Sequence, residues 1–186
     1  MMHGNTIPLL HDDGSRIFQS PEMLAAQREV AQGLAKRWKC EIHDFPPLCP
    51  IDWYSERYGR MVSLLELKCR YFASNKYPTT FLSVNKWFHL MRGSDAFGIP
   101  AIYVVRFTDG ACWVPVRQIE ARHQRVITNK EGNREPVIDV PVNQFGWVLR
   151  GGVDGGGGVG AGGDVGGVEG GALFPTYNKP PAIHLS

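Results

Sequence analysis

The sequence predicts a layered α/β (or α+β) domain, a central mixed sheet flanked by helices. Three observations point there. Residues 21–38 and 81–92 repeat apolar side chains at helical spacing. Short β-prone runs lie between and after them, the strongest at 61–69 and 99–107. Of 22 glycines, 13 fall within residues 151–171, so the compact part ends near 150. A stretch that is mostly glycine, with four valines and no aromatic residue, cannot bury a core. Residues 1–150 are long enough to do so.

Each element has its own signal. Residues 1–19 lack periodicity and read as an arm. Ser20-Pro21-Glu22 starts a helix with an N-cap hydroxyl, a proline at the first helical position and an acid in the first turn. Met23, Val30, Leu34 and Trp38 then recur along it, and Lys36, Arg37 and Lys39 suit its C-terminal dipole. Residues 39–45 alternate as a short strand that Pro46, Pro47 and Pro50 break. Residues 51–54 form a second β-prone run, and 56–60 read as a hairpin turn. The 61–69 run, MVSLLELKC, is nearly all apolar, as in a strand covered on both faces. Pro78 and Thr79-Thr80 precede the second helix, where Leu82, Trp87, Leu90 and Met91 supply an apolar side. After the 99–107 strand, Asp109-Gly110 turns the chain into a return strand over 111–116. Residues 125–128 and 137–142 make an added hairpin, and 145–149 closes the fold. The organisation is thus an arm (1–19), a folded domain (20–150), a glycine-rich linker (151–171) and a C-terminal peptide (172–186). The linker's typical span is roughly 25 Å.

Composition excludes several classes. Lys+Arg 20 against Asp+Glu 18 gives +2 overall. Residues 151–186 carry Asp154, Asp164 and Glu169 against Lys179, a net of −2, which leaves +4 on residues 1–150. That mild excess permits a polyanionic partner. No apolar run approaches the roughly 18 residues of a membrane span, so no membrane partner is expected. Residues 1–15 lack a secretory pattern, so a cytoplasmic chain is expected. Cys40, Cys49, Cys69 and Cys112 fall at no metal-type spacing and are expected as reduced thiols.

Two charges interrupt the apolar 61–69 strand. Glu66 and Lys68 are two apart, so both point to one face. Burying such charges is costly unless they are paired or bound to something. A hairpin turning near Gly59 returns Asp52 beside Glu66. Two converging carboxylates suit a hard divalent cation such as magnesium, which also takes waters and phosphate oxygens. A nearby lysine stabilises phosphate charge or orients an attacking water.

Pro50-Ile51-Asp52, followed 14 residues on by Glu66-Leu67-Lys68, resembles the PD-(D/E)xK nuclease superfamily. The resemblance covers roughly residues 21–107 and departs from the pattern in the Ile51 between proline and aspartate. It implies a restriction-endonuclease-like αβββαβ core, with the later hairpin and the glycine-rich tail as additions. It implies that Asp52 and Glu66 bind magnesium or manganese, with the Leu67 carbonyl as a further ligand, and that Lys68 is the catalytic lysine. Glu29 of the first helix becomes the accessory acid, and Lys86, Ser83 and Arg70 fall to nucleic-acid contact. The function implied is metal-dependent hydrolysis of DNA, in a host cytoplasm or a virion if the chain is phage-encoded. The alternative is a non-catalytic nucleic-acid-binding or phage assembly protein on the same fold. The C-terminal peptide suggests a protein partner, and a homo-oligomer stays open.

Other patterns weigh less. Glu41, His43 and Asp44 resemble an acid–base group, but strand alternation sends His43 and Asp44 to opposite faces. Cys40, His43 and Cys49 match no common zinc spacing. Residues 158–163 spell GxGxxG without the strand and helix a dinucleotide site needs. Arg117, Arg122, His123, Arg125, Lys130 and Arg134 form a basic stretch able to track a nucleic-acid backbone. Trp53, Tyr54, Tyr58, Trp87 and Phe88 are candidates for stacking on unpaired bases.

Overall fold

The computed structural model describes residues 21–46, 48–128 and 132–150. The arm, the linker and the C-terminal peptide, with the GxGxxG match and Lys130, lie outside them. The order is α1 (Pro21–Trp38), β1 (Glu41–Asp44), β2 (Trp53–Arg57), β3 (Arg60–Cys69), β4 (Thr79–Ser83), α2 (Val84–Phe97) and β5 (Ala101–Phe107). Then follow β6 (Gly110–Pro115), β7 (Gln124–Thr128), β8 (Arg134–Pro141) and β9 (Gly146–Arg150).

Six strands form the main sheet in the order β1-β2-β3-β5-β6-β9. Only β3 and β5 run parallel; the other neighbours are antiparallel. The parallel pair needs a long crossover, which β4 and α2 supply. The β2–β3 hairpin closes through Tyr58 (φ 54) and Gly59 (φ 70), two left-handed residues in succession, as a twisted two-residue turn requires.

Strand alternation divides the apolar residues between two cores. On one face Leu65, Leu67, Ile102 and Val104 pack under Val30 and Leu34 of α1. The helix lies close to β9: a Cβ on Gly33 would stand 2.5 Å from Leu149 Cδ1. On the other face Leu64, Tyr103, Val105 and Phe107 pack with Leu90 of α2 and with Leu82, Ile138 and Val140. Those last three belong to a second, three-stranded sheet ordered β4-β8-β7.

Two expectations change. Residues 79–83 are a strand, and the second helix runs over Val84–Phe97 instead of 81–92. Thr79, Thr80 and Phe81 favour extended backbone, and their pairing with β8, in register Leu82↔Ile138, outweighs the helical spacing of Leu82. The later hairpin forms as expected between β7 and β8, and with β4 it makes a sheet of its own. All four cysteines are free. Among the described residues no helix is long and apolar enough to cross a membrane.

Candidate active site

The β2–β3 register pairs Trp53 with Leu65, so Asp52 and Glu66 stand one step further along the same ladder. Glu66 shares the parity of Leu64 and therefore faces α2. It is 2% exposed. Asp52, half-buried, accepts a bond at Oδ2 from the Leu67 backbone N–H at 3.1 Å.

Both carboxylates converge on Lys86. Its Nζ donates to Asp52 Oδ1 at 2.8 Å and to Glu66 Oε2 at 2.9 Å. Helix geometry sets this up. Lys86 is the third residue of α2, and Leu90, one turn on, is fully buried against the sheet. Gly93 continues that face, where a Cβ would come 2.7 Å from Leu64 Cδ1 and 3.3 Å from Ile51 Cδ1. The helix therefore packs tightly beside the segment that carries Asp52. Ser94 Oγ, also buried, ties its far end to the Ile99 carbonyl at 2.6 Å.

The electrostatics follow from burial. Desolvation pushes the Glu66 carboxyl up to about 8, and the Asp52 carboxylate adds to the rise. Lys86 and then Lys68 oppose it. Burial pulls the Lys86 ammonium down, but Glu66 and Asp52 outweigh that, and its net shift is upward. Hard carboxylate oxygens facing one positive centre form a donor set that fits magnesium or manganese.

The other candidates are placed as follows. Lys68 is exposed on the same face as Glu66, and its charge reaches that carboxylate through space. Ser83 is the N-cap of α2, yet its hydroxyl makes no capping bond. Arg70 is held against β4: it donates to Thr80 Oγ1 at 3.2 Å and to the Phe81 carbonyl at 2.9 Å, and stacks 4.1 Å from the Phe81 ring. Tyr103 donates to the same carbonyl at 2.8 Å. Glu29 is not brought to the Lys86 cluster. It is 64% exposed and pairs with Arg106 at 3.1 Å on the α1 side of the sheet.

Much of the basic stretch is already paired, Arg117 with Asp95, Arg122 with Glu120 and Arg125 with Asp139. Among the aromatic candidates Trp53 is buried, while Tyr58 at the hairpin tip and Phe88 are exposed. Tyr54 stacks on His43, with ring centroids 5.0 Å apart.

A group the sequence reading did not assemble lies at the sheet edge. His43 Nε2 stands 3.5 Å from Glu41 Oε2 and 3.8 Å from Glu56 Oε2. That nitrogen is buried without a hydrogen-bond partner among the described residues. Glu56 enters because it pairs with Glu41 across β1 and β2, a contact between strands that spacing within one strand does not reveal. Asp44 lies on the opposite face, where it accepts from Trp53 Nε1 at 2.7 Å.

A helix, a three-strand meander carrying Asp52 and ExK, a crossover helix and a parallel fifth strand make a PD-(D/E)xK-type, restriction-endonuclease-like core. The family described as "Phage putative PDDEXK endonuclease" matches residues 18–148. The chain belongs to that family of nucleases. No curated protein matches it. Among solved structures it is similar to Hjc, a Holliday junction resolvase from the archaeal hyperthermophile Archaeoglobus fulgidus. That likeness has 14% identity and a TM-score of 0.40, over 62% of this chain and 82% of that one.

Proposed function

We propose that the chain hydrolyses phosphodiester bonds of DNA with magnesium or manganese, inside a phage-infected cell. One observation carries the reading: Asp52 and Glu66 share a single cationic partner on the face that also presents Lys68. Asp52, Glu66 and the Leu67 carbonyl would hold the ion, which when bound polarises a phosphate oxygen and acidifies water. Lys68, exposed beside them, orients the attacking water and meets charge developing on the phosphate. Ser83 and Lys86, at the start of α2, meet phosphate oxygens. Arg70 adds positive field from its fixed place on β4.

The test is a cleavage panel of single-stranded, duplex and branched DNA, plus RNA, with magnesium, with manganese and with chelator. DNA should be cut with either metal and left intact with chelator. Asp52→Ala and Lys68→Ala should each lose about 100-fold or more in rate. Cutting by either variant at the parent rate would refute the assignment. Glu29→Ala decides separately whether that acid acts. Binding of DNA by the parent without cutting would favour a non-catalytic role.

A further inference from the structure

We propose that Lys86 is a resident counter-cation for Asp52 and Glu66, one that a divalent ion must displace to bind. The proposal rests on the metal-site reading above and adds a step of regulation to it.

Three of the four carboxylate oxygens already hold hydrogen bonds. Asp52 Oδ2 is committed to the Leu67 N–H, and Asp52 Oδ1 and Glu66 Oε2 are both committed to Lys86 Nζ, at 2.8 and 2.9 Å. An ion drawing on both carboxylates competes with the ammonium for that pair of oxygens. Two cations held by the same two atoms would stand within a few ångströms of each other in a largely buried site, where like charges repel strongly. Binding of one therefore expels the other.

The lysine is also placed to be expelled. It lies in the first turn of α2, with Leu90 and Ser94 anchoring the helix further along, so the side chain can swing without the helix moving. It is about one-third exposed, which gives its flexible stem a route to solvent. Until then it balances the Asp52 carboxylate and donates to the buried Glu66 carboxyl, whose charge it meets once the proton is lost. The displaced ammonium is left beside the site, free to meet a phosphate. Metal uptake and substrate contact are thereby coupled through one side chain.

The full chain would be titrated with manganese alone, by calorimetry, without DNA. Lys86→Met should bind manganese at least tenfold more tightly than the parent. Lys86→Arg, which keeps a cation, should not. In the parent itself, acylation of Lys86 by an amine-reactive reagent, read by mass spectrometry, should rise when manganese is added. That second measurement stands if the Met variant fails to fold. Equal or weaker binding by Lys86→Met, or unchanged acylation on manganese binding, would overturn the counter-cation role. The underlying reading has its own control. If Asp52→Asn and Glu66→Gln bind manganese as the parent does, the metal site itself is misassigned. If they lose binding while Lys86→Met gains nothing, only the role of Lys86 falls.

Discussion

The buried Glu66 carboxyl makes the stability of the chain depend on pH in an uncommon direction. Its pKa rises from an ordinary 4.5 to about 8 in the folded protein. Between those values the folded state keeps a proton that the unfolded state has lost, so stability falls as pH increases. The slope is about 1.4 kcal/mol per pH unit. Across the whole window this reaches roughly 5 kcal/mol, comparable to the low end of a domain's total stability. For a chain of this size it corresponds to a melting temperature falling by roughly 3–6 °C per pH unit. Other displaced groups titrate outside the window. Burial of Asp109 is outweighed by its bonds from Ser74, which hold it low, while burial pushes Cys112 up to about 12. Thermal melts from pH 5 to 8 at fixed ionic strength, with chelator, would read the slope. Glu66→Gln should flatten it and should melt higher than the parent near pH 8. Saturating manganese should also flatten it, because ion binding is favoured as the carboxyl loses its proton. A parent melting temperature that is level or rising between pH 5.5 and 7.5 would refute the reasoning. So would a Glu66→Gln variant that keeps the parent's slope.

Two further outcomes follow from contacts around the site. Arg70→Met removes two hydrogen bonds and a stacked cation, so urea melts should show a loss of about 2–3 kcal/mol. If it weakens DNA binding and leaves stability intact, Arg70 does not fasten β4. Ser55 and Ser63 are both fully buried and bonded to each other across β2 and β3. Either serine changed to alanine alone should cost about 1–3 kcal/mol by orphaning its partner, and the double variant should recover part of that in a double-mutant cycle. Simple additivity would sink that account.

The sequence was most informative where signals are local. Pro21 and the Val30–Leu34–Trp38 spacing fix α1, and the apolar 61–69 and 99–107 runs mark strands buried on both faces. The return of Asp52 to the neighbourhood of Glu66 was also legible from the hairpin, but its exact register was not: a bulge between Ser55 and Glu56 shifts the ladder by one residue, and the turn alone would set Glu66 opposite Ile51. What escaped depended on partners distant in the chain. Thr79–Ser83 becomes a strand only because β8 lies alongside it, more than 50 residues later. Glu41, His43 and Glu56 meet only because β1 pairs with β2. Lys86 stood out as a basic residue near a phosphate. That its ammonium would bridge both carboxylates depended on where α2 begins, and the helical spacing placed that start three residues too early.

The direct junction between β4 and α2 sets rules for insertion and deletion. β4 ends at Ser83 and α2 begins at Val84, with no loop to absorb a change in length. One residue added or removed in β4 would either slip its pairing with β8 or turn the start of α2 by about 100°. Either result takes Lys86 away from Asp52 and Glu66. The connection between β7 and β8 has no such duty, since it joins two antiparallel neighbours of the small sheet. Relatives of this chain should therefore vary in length between β7 and β8 and hold a constant count from Thr79 to Lys86.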